Sequence, residues 1–286
     1  MSQATVDLYC VMGNPVAHSR SPAIHARFAE LTGEHLAYER RLVALDGFAQ
    51  GVRDFAALGG RGCNVTVPFK IEAPLLATQC SERVQLAGAA NTLAFRPDGS
   101  IHADNTDGLG LVADITRNAG VALRGRDVLL VGAGGAAAGV LGPLLQAGAR
   151  RIAIANRTLA KAQALVHSHH ALATELGAQL AASTLDAVAG DFDVVINATA
   201  SSLAGDAVPV SASVLRPGGL AYDMMYGPAA QGFLDWAAAH GAVPRDGLGM
   251  LVEQAAEAFA FWRGVRPPSS QVLAELQAQL ALQPQH

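Results

Sequence analysis

Residues 127–140 read Asp-Val-Leu-Leu-Val-Gly-Ala-Gly-Gly-Ala-Ala-Ala-Gly-Val; an apolar segment continues to Gly148, and residues 151–158 read Arg-Ile-Ala-Ile-Ala-Asn-Arg-Thr. Val128–Val131 is short, rich in β-formers and bounded by glycine, the pattern of a buried parallel strand. Gly132, Gly134 and Gly135 permit a tight turn and leave backbone N–H groups uncovered. Ala136–Gln146 has helix formers, with Gly148 as its stop. Ile152–Ala155 is a second buried strand. Strand, glycine turn, helix and strand make one crossover unit whose helix N-terminus can face a phosphate. The third glycine of the dinucleotide fingerprint is Ala137, which that pattern allows.

Val128–Ala149 carries no charged residue and is long enough for a bilayer. Its repeated glycines and Pro143 break it into strand plus helix instead, so no membrane span is expected. The 286 residues suggest about two domains, and 51% hydrophobic against 15% charged residues describes a large core. A net charge of −4 gives no general affinity for nucleic acid or anionic lipid. The first residues lack a basic then apolar leader, and Cys10, Cys63 and Cys80 suit reduced thiols. Both point to the cytoplasm, and no paired cysteines suggest a metal.

Before the glycine turn, Leu8–Met12, Leu36–Val43 and Cys63–Val67 read as strands, the last stopped by Pro68. Ser21 as N-cap and Pro22 at the first helical position start a helix to about Leu31, closed by Gly33. Helices are expected over Asp46–Leu58 and Pro68–Leu76. Asn91–Phe95 and Ser100–Ala103 flank Arg96-Pro97-Asp98-Gly99 as a hairpin. Asp104–Gly108 caps a helix to about Asn118. Later come a helix over Leu159–His170, strands over Asp193–Ile196 and Gly219–Met224, and helices over Gly232–His240, Leu248–Trp262 and on to Leu280.

Eight separated motifs then resemble, in order, those of the shikimate dehydrogenases. They are Gly13–Pro22, Asn64–Lys70, Gly88–Thr92, Asp104–Gly108, Gly132–Ala136, Asn156–Thr158, Tyr222–Tyr226 and Gly247–Leu251. The resemblance spans nearly the whole chain. It implies an α/β protein of two domains. A substrate domain comprises residues 1–107 plus 247–286, and residues 108–246 form an inserted Rossmann-type NADP-binding domain. The implied activity is reversible NADPH-dependent reduction of 3-dehydroshikimate to shikimate, a step toward chorismate and the aromatic amino acids. The implied state is monomer or homodimer.

Reducing a ketone requires a hydride donor and a proton donor near the carbonyl oxygen. Lysine is a suitable acid, since desolvation makes an ammonium easier to deprotonate. The resemblance assigns Lys70 and Asp107 as the catalytic pair. It assigns Ser19 and Ser21 to the substrate carboxylate, and Thr66 and Tyr226 to positions near the substrate. Asn91 and Gln254 each offer a donor and an acceptor to a neutral hydroxyl. Gly132, Ala133, Gly134, Gly135 and Ala136 are assigned to the cofactor, with Met224 and Gly247.

Cofactor choice is legible in residue type. An NAD enzyme of this kind ends its second strand with an acid that binds the ribose 2′-OH. Here Asn156 stands there, uncharged. Arg157 can fork onto a 2′-phosphate, Thr158 can donate from its helix start, and Lys161 adds a second cation. NADP is therefore expected.

Other groups read more plainly. His167-Ser168-His169-His170 is expected to be a solvated cluster at a helix end, not a metal site. His18 and His25 flank the serine turn, but no Gly-x-Ser-x-Gly elbow supports a hydrolase. Relatives carry Ser and Gly where this chain has Ala200 and Ser202, and some carry Arg at Ala138. The nearby alternative is a quinate/shikimate dehydrogenase or a paralogue acting on another cyclic polyol acid. A non-catalytic nucleotide sensor is a third reading, disfavoured because a sensor needs no proton donor.

Overall fold

The computed structural model describes residues 6–199 and 208–282. Ala200 and Ser202 lie outside the described residues. The chain forms two compact units: one takes in residues up to Gly110 and again from Leu251, the other is Leu111–Met250.

The first unit opens with β1 (Asp7–Gly13), α1 (Ser21–Thr32), β2 (Leu36–Leu42), α2 (Phe48–Ala57) and β3 (Gly60–Val65). It continues with β4 (Gln79–Cys80), α3 (Glu82–Ala87), β5 (Thr92–Phe95), β6 (Ile101–Asp104) and the start of α4 (Asp107–Ala113). The sheet order is β2-β1-β3-β5-β6-β4, with β1 parallel to β2 and β3, and β5 antiparallel to β3 and β6. Cys10, Met12, Phe48, Phe55, Phe69 and Leu93 form its core.

Several boundaries differ from the sequence reading. Arg20, not Ser21, holds the N-cap of α1, and Ser21 is its first helical residue; Gly33 closes it in the left-handed region at φ 72°. β3 stops at Val65. Thr66 N–H bonds Met12 O at 2.9 Å, and Val67 O accepts from Asn14 N–H at 2.9 Å, so these residues tie to the end of β1. The expected helix over Pro68–Leu76 is two short 3₁₀ turns, Phe69–Ile71 and Ala73–Leu76. Pro74 has no N–H to donate and its ring would clash in a continuous helix. β4 and α3 had no expectation; Ser81 caps α3, accepting from Val84 N–H at 3.3 Å.

The second unit carries the rest of α4, a wide π-type turn (Asp114–Asn118), β7 (Asp127–Val131), α5 (Gly135–Gln146), β8 (Arg151–Ala155) and α6 (Leu159–Glu175). β9 (Gln179–Ser183), β10 (Phe192–Asn197), β11 (Leu215–Asp223), α7 (Gln231–Ala239), β12 (Val243–Arg245) and the start of α8 (Leu248–Arg263) follow. The remainder of α8 and α9 (Ser269–Ala281) belong to the first unit. The second sheet is parallel in the order β12-β11-β10-β7-β8-β9, the doubly wound arrangement. Along β7, Val128 and Leu130 join the core with Val140, Leu144 and Ile152, whereas Leu129 and Val131 join that with Phe192, Val195 and Phe233. Successive side chains point to opposite faces, and both faces are covered.

α6 runs past His170 to Glu175; His167, Ser168 and His170 are exposed as expected, and His169 alone departs from that reading. His169 is fully buried on the same helical face as Ala162 and Ala173. Burial pushes its imidazole down. Among the described residues no group of His, Cys, Asp and Glu could hold a metal ion, and no helix is long and apolar enough to cross a membrane.

Candidate active site

In an open α/β sheet, ligand sites lie beyond the carboxyl ends of strands from which the chain leaves in opposite directions. In the first unit these strands are β1, which leads outward to β2, and β3, which leads to the opposite flank. The segments after them carry Ser19 and Ser21, and Thr66 and Lys70. Gly13 makes their approach possible: a Cβ there would overlap the Thr66 methyl group.

Lys70 and Asp107 meet in this unit. Lys70 Nζ donates to Asp107 Oδ2 at 2.6 Å, with side-chain exposures of 19% and 7%. The pair is neither saturated by water nor sealed from it. Asp107 sits at the first position of α4, where its backbone N–H donates to Asn105 Oδ1 at 3.2 Å. The Lys70 backbone is held from the other side, its carbonyl accepting from Ala90 N–H at 2.8 Å. The second oxygen of Asp107 accepts from Asn91 Nδ2 at 2.9 Å, and the same amide reaches Gln254 Oε1 at 3.3 Å. Gln254, on α8, is buried rather than on a polar surface. Lys70, Asp107, Asn91 and Gln254 thus form one network.

Ser19 and Ser21 form a second group. Ser19 Oγ donates to Ser21 Oγ at 3.2 Å and accepts from Ser21 N–H at 3.3 Å, while Arg40 anchors the Ser19 carbonyl at 2.6 and 2.9 Å. Two hydroxyls on one turn suit a carboxylate. His25 is fully buried and stacks on Tyr38, with centroids 4.3 Å apart, and neither ring nitrogen has a hydrogen-bond partner among the described residues. It is a core histidine and no base.

The second unit holds the remaining expected residues. β7 leads to β8 on one side, and β10 leads to β11 on the other, so the glycine turn stands at the crossover point of this sheet. Gly132 has φ 113°, which favours glycine, and nothing lies within 4 Å of where a Cβ on Gly134 would point. Open backbone before a 12-residue helix is a cradle into which a pyrophosphate fits. Asn156 follows β8 and donates to Thr158 O at 2.9 Å, tightening the turn into α6. Arg157, Thr158 and Lys161 are exposed, and no ion pair engages Arg157 or Lys161 among the described residues. An uncharged strand end flanked by two available cations fits a 2′-phosphate. Met224 and Tyr226 follow β11, and a Cβ on Gly247 would collide with the Met224 carbonyl, so the two segments need glycine to touch. Ala133 and Ala136 line the turn and the first turn of α5.

Sequence reasoning passed over the half-buried Tyr38 and the buried Asn64, Thr92 and Thr106, polar groups in or beside the first network. Asn64 and Thr92 lay inside quoted motifs; polar side chains on strands buried on both sides were the available signal.

Three family models match the chain: "Shikimate dehydrogenase substrate binding domain" over residues 11–93, "Shikimate / quinate 5-dehydrogenase" over 114–205 and "Shikimate 5'-dehydrogenase C-terminal domain" over 247–277. A shikimate dehydrogenase (NADP(+)) of Verminephrobacter eiseniae is 78% identical over 96% of this chain and 95% of its own length. Among solved structures, an Ael1 enzyme from Pseudomonas putida superposes with TM-score 0.85 at 47% identity, covering 94% of this chain and 98% of that one. A shikimate dehydrogenase solved in complex with NADP+ gives TM-score 0.83 at 30% identity, covering 98% and 97%. With matches in this order along nearly the full length, the chain belongs to the shikimate dehydrogenase family.

Proposed function

We propose that this chain catalyses the reversible NADPH-dependent reduction of 3-dehydroshikimate to shikimate in the cytoplasm, serving chorismate and aromatic amino acid synthesis. The observation that carries the reading is the contact of Lys70 with Asp107, with Asn91 on the other carboxylate oxygen. NADPH supplies the hydride when bound. Gly132–Ala136 and the N-terminus of α5 hold its pyrophosphate, Arg157, Thr158 and Lys161 its 2′-phosphate, and Met224 and Gly247 stand on the same edge of that sheet. Lys70 gives its proton to the oxygen that becomes the hydroxyl. Asp107 accepts a hydrogen bond from that hydroxyl and keeps Lys70 aimed. Ser19 and Ser21 bind the ring carboxylate; Thr66, Asn91 and Gln254 address the ring hydroxyls.

The second family model includes quinate in its description, which keeps a shikimate/quinate enzyme as the second reading. Initial rates with shikimate and with quinate, each with NADP and NAD, test both assignments. The expected order puts shikimate with NADP first. A higher kcat/KM for quinate overturns the substrate, and a higher value with NAD overturns the cofactor.

A further inference from the structure

Asp107 depends on Asn91 presenting its NH₂ group, yet a side-chain amide can turn either way. Two contacts settle the orientation, because each involves a backbone group with a single role. Thr106 N–H can only donate, and it meets Asn91 Oδ1 at 2.8 Å. The Asn91 backbone carbonyl can only accept, and Asn64 Nδ2 meets it at 3.2 Å. Both amides are therefore assigned by chemistry.

The hydroxyls between them then have one arrangement. Thr92 Oγ lies 3.0 Å from Asn64 Nδ2, a donor, and 2.9 Å from Asn91 Oδ1, an acceptor. It must accept from the first and donate to the second. Asn64 Oδ1 in turn needs a donor, and Tyr38 Oη stands 2.7 Å away. Desolvation raises the Tyr38 phenol well above its usual range, which keeps that proton in place. The donors follow one another from Tyr38 to Asn64, Thr92, Asn91 and Asp107 without reversal. The path crosses from β2 to β3 and β5, with Asn64 and Thr92 paired in register. Dipoles aligned in one sense reinforce each other in a low-dielectric interior.

We infer that Tyr38, Asn64 and Thr92 are positioning residues: a one-way series of hydrogen bonds that fixes the Asn91 amide with its NH₂ toward Asp107. The inference rests on the function proposed above, in which Asp107 belongs to the acid–base pair. Each residue acts through the next, and only Asn91 touches Asp107.

The test compares Thr92→Val with Thr92→Ser. Valine keeps the shape and removes the hydroxyl; serine keeps the hydroxyl and removes the methyl group. Steady-state kcat for shikimate oxidation and hydrogen exchange of the Asn91 side-chain amide by NMR are measured in both. Losing the hydroxyl unpairs Asn64 Nδ2 and takes a donor from Asn91 Oδ1, so Thr92→Val should lower kcat roughly tenfold and speed the exchange. Thr92→Ser should stay within about twofold on both. Wild-type behaviour in Thr92→Val, or equal impairment in Thr92→Ser, overturns the inference. If Thr92→Val fails to fold, Tyr38→Phe decides: it should move both measurements in the same direction, and an unchanged kcat and exchange rate overturns the inference. Absence of turnover in the wild-type protein would defeat the functional reading instead, and the exchange measurement would still test the series.

Discussion

Replacing Asp107 by asparagine changes two atoms' roles and almost no volume. The carboxylate now accepts on both sides, from Lys70 Nζ at 2.6 Å and from Asn91 Nδ2 at 2.9 Å. An amide has one oxygen and one NH₂, so whichever way it turns, its NH₂ faces a donor. Asn91 cannot turn to accommodate it, because Thr106 N–H holds Asn91 Oδ1. Lys70 is the more exposed partner and is the one that will swing toward water. A hydrogen bond between charged groups contributes about 1.5–3 kcal/mol net, which corresponds to roughly tenfold to a hundredfold misplacement of Lys70. Removing the acid–base partner itself costs about 10²–10⁴. The two overlap, so Asp107→Asn should lower kcat for shikimate oxidation by at least about 10² at saturating NADP, followed by NADPH absorbance. The urea midpoint should change little, since the released lysine is solvated. A kcat within about fivefold of wild type, in a folded variant, would refute the pair as the acid–base machinery.

Arg157→Ala should raise KM for NADP roughly tenfold to a hundredfold and leave that for NAD nearly unchanged; equal losses with both cofactors would sink the 2′-phosphate assignment. Gly249→Ala should destabilise the fold by about 3 kcal/mol or more in denaturant titration, because the new Cβ would fall on the Asp114 carboxyl, which is fully buried against Arg245 and Tyr222; a loss below about 1 kcal/mol would contradict that packing. Burial pushes the His25 imidazole down to about 3 from 6.5. The depressed value means its contribution is intact above about pH 6.5 and is lost as pH falls toward about 3, at about 1.4 kcal/mol per pH unit. His25→Phe, with its ring kept for Tyr38, should flatten stability against pH by about one proton in that window; an unchanged slope would show that His25 does not titrate this way.

The sequence disclosed what depends on neighbours along the chain. Val128–Val131, the glycines after it and the apolar helix beyond form a local pattern, and β7, α5 and β8 follow it closely. The uncharged Asn156 beside Arg157 and Lys161 is likewise a local signal. Errors arose where one residue overrode its surroundings. Pro74 split a helix that the rest of 68–76 would support, and the α6 periodicity continued through His169, whose polarity suggested an end. The residue types of Lys70 and Asp107 were legible, but 37 positions separate them and only the fold brings Nζ to Oδ2. The Tyr38–Asn64–Thr92 series was invisible because it depends on register between strands, which no single strand encodes.

Asp107 and Asp114 show how the same side chain, seven residues apart in this numbering, serves two purposes. A carboxylate offers about four lone-pair sites. At Asp114 four donors fill them: Tyr222 Oη at 2.7 Å, Arg245 Nε at 2.9 Å and Nη2 at 2.6 Å, and Asn118 Nδ2 at 2.9 Å. That carboxylate is fully buried and has no capacity left for a ligand. It anchors the π-type turn to β11 and β12 within its unit. Asp107 receives two donors, Lys70 and Asn91, and keeps about two acceptor sites. Its partner Lys70 remains partly open to solvent. Unfilled acceptor capacity beside a reachable ammonium is what a substrate hydroxyl needs, since it must donate to one group while its oxygen exchanges a proton with the other. Burial alone would rank Asp114 as the more unusual residue; the count of donors supports the proposal that puts the acid–base chemistry at Asp107.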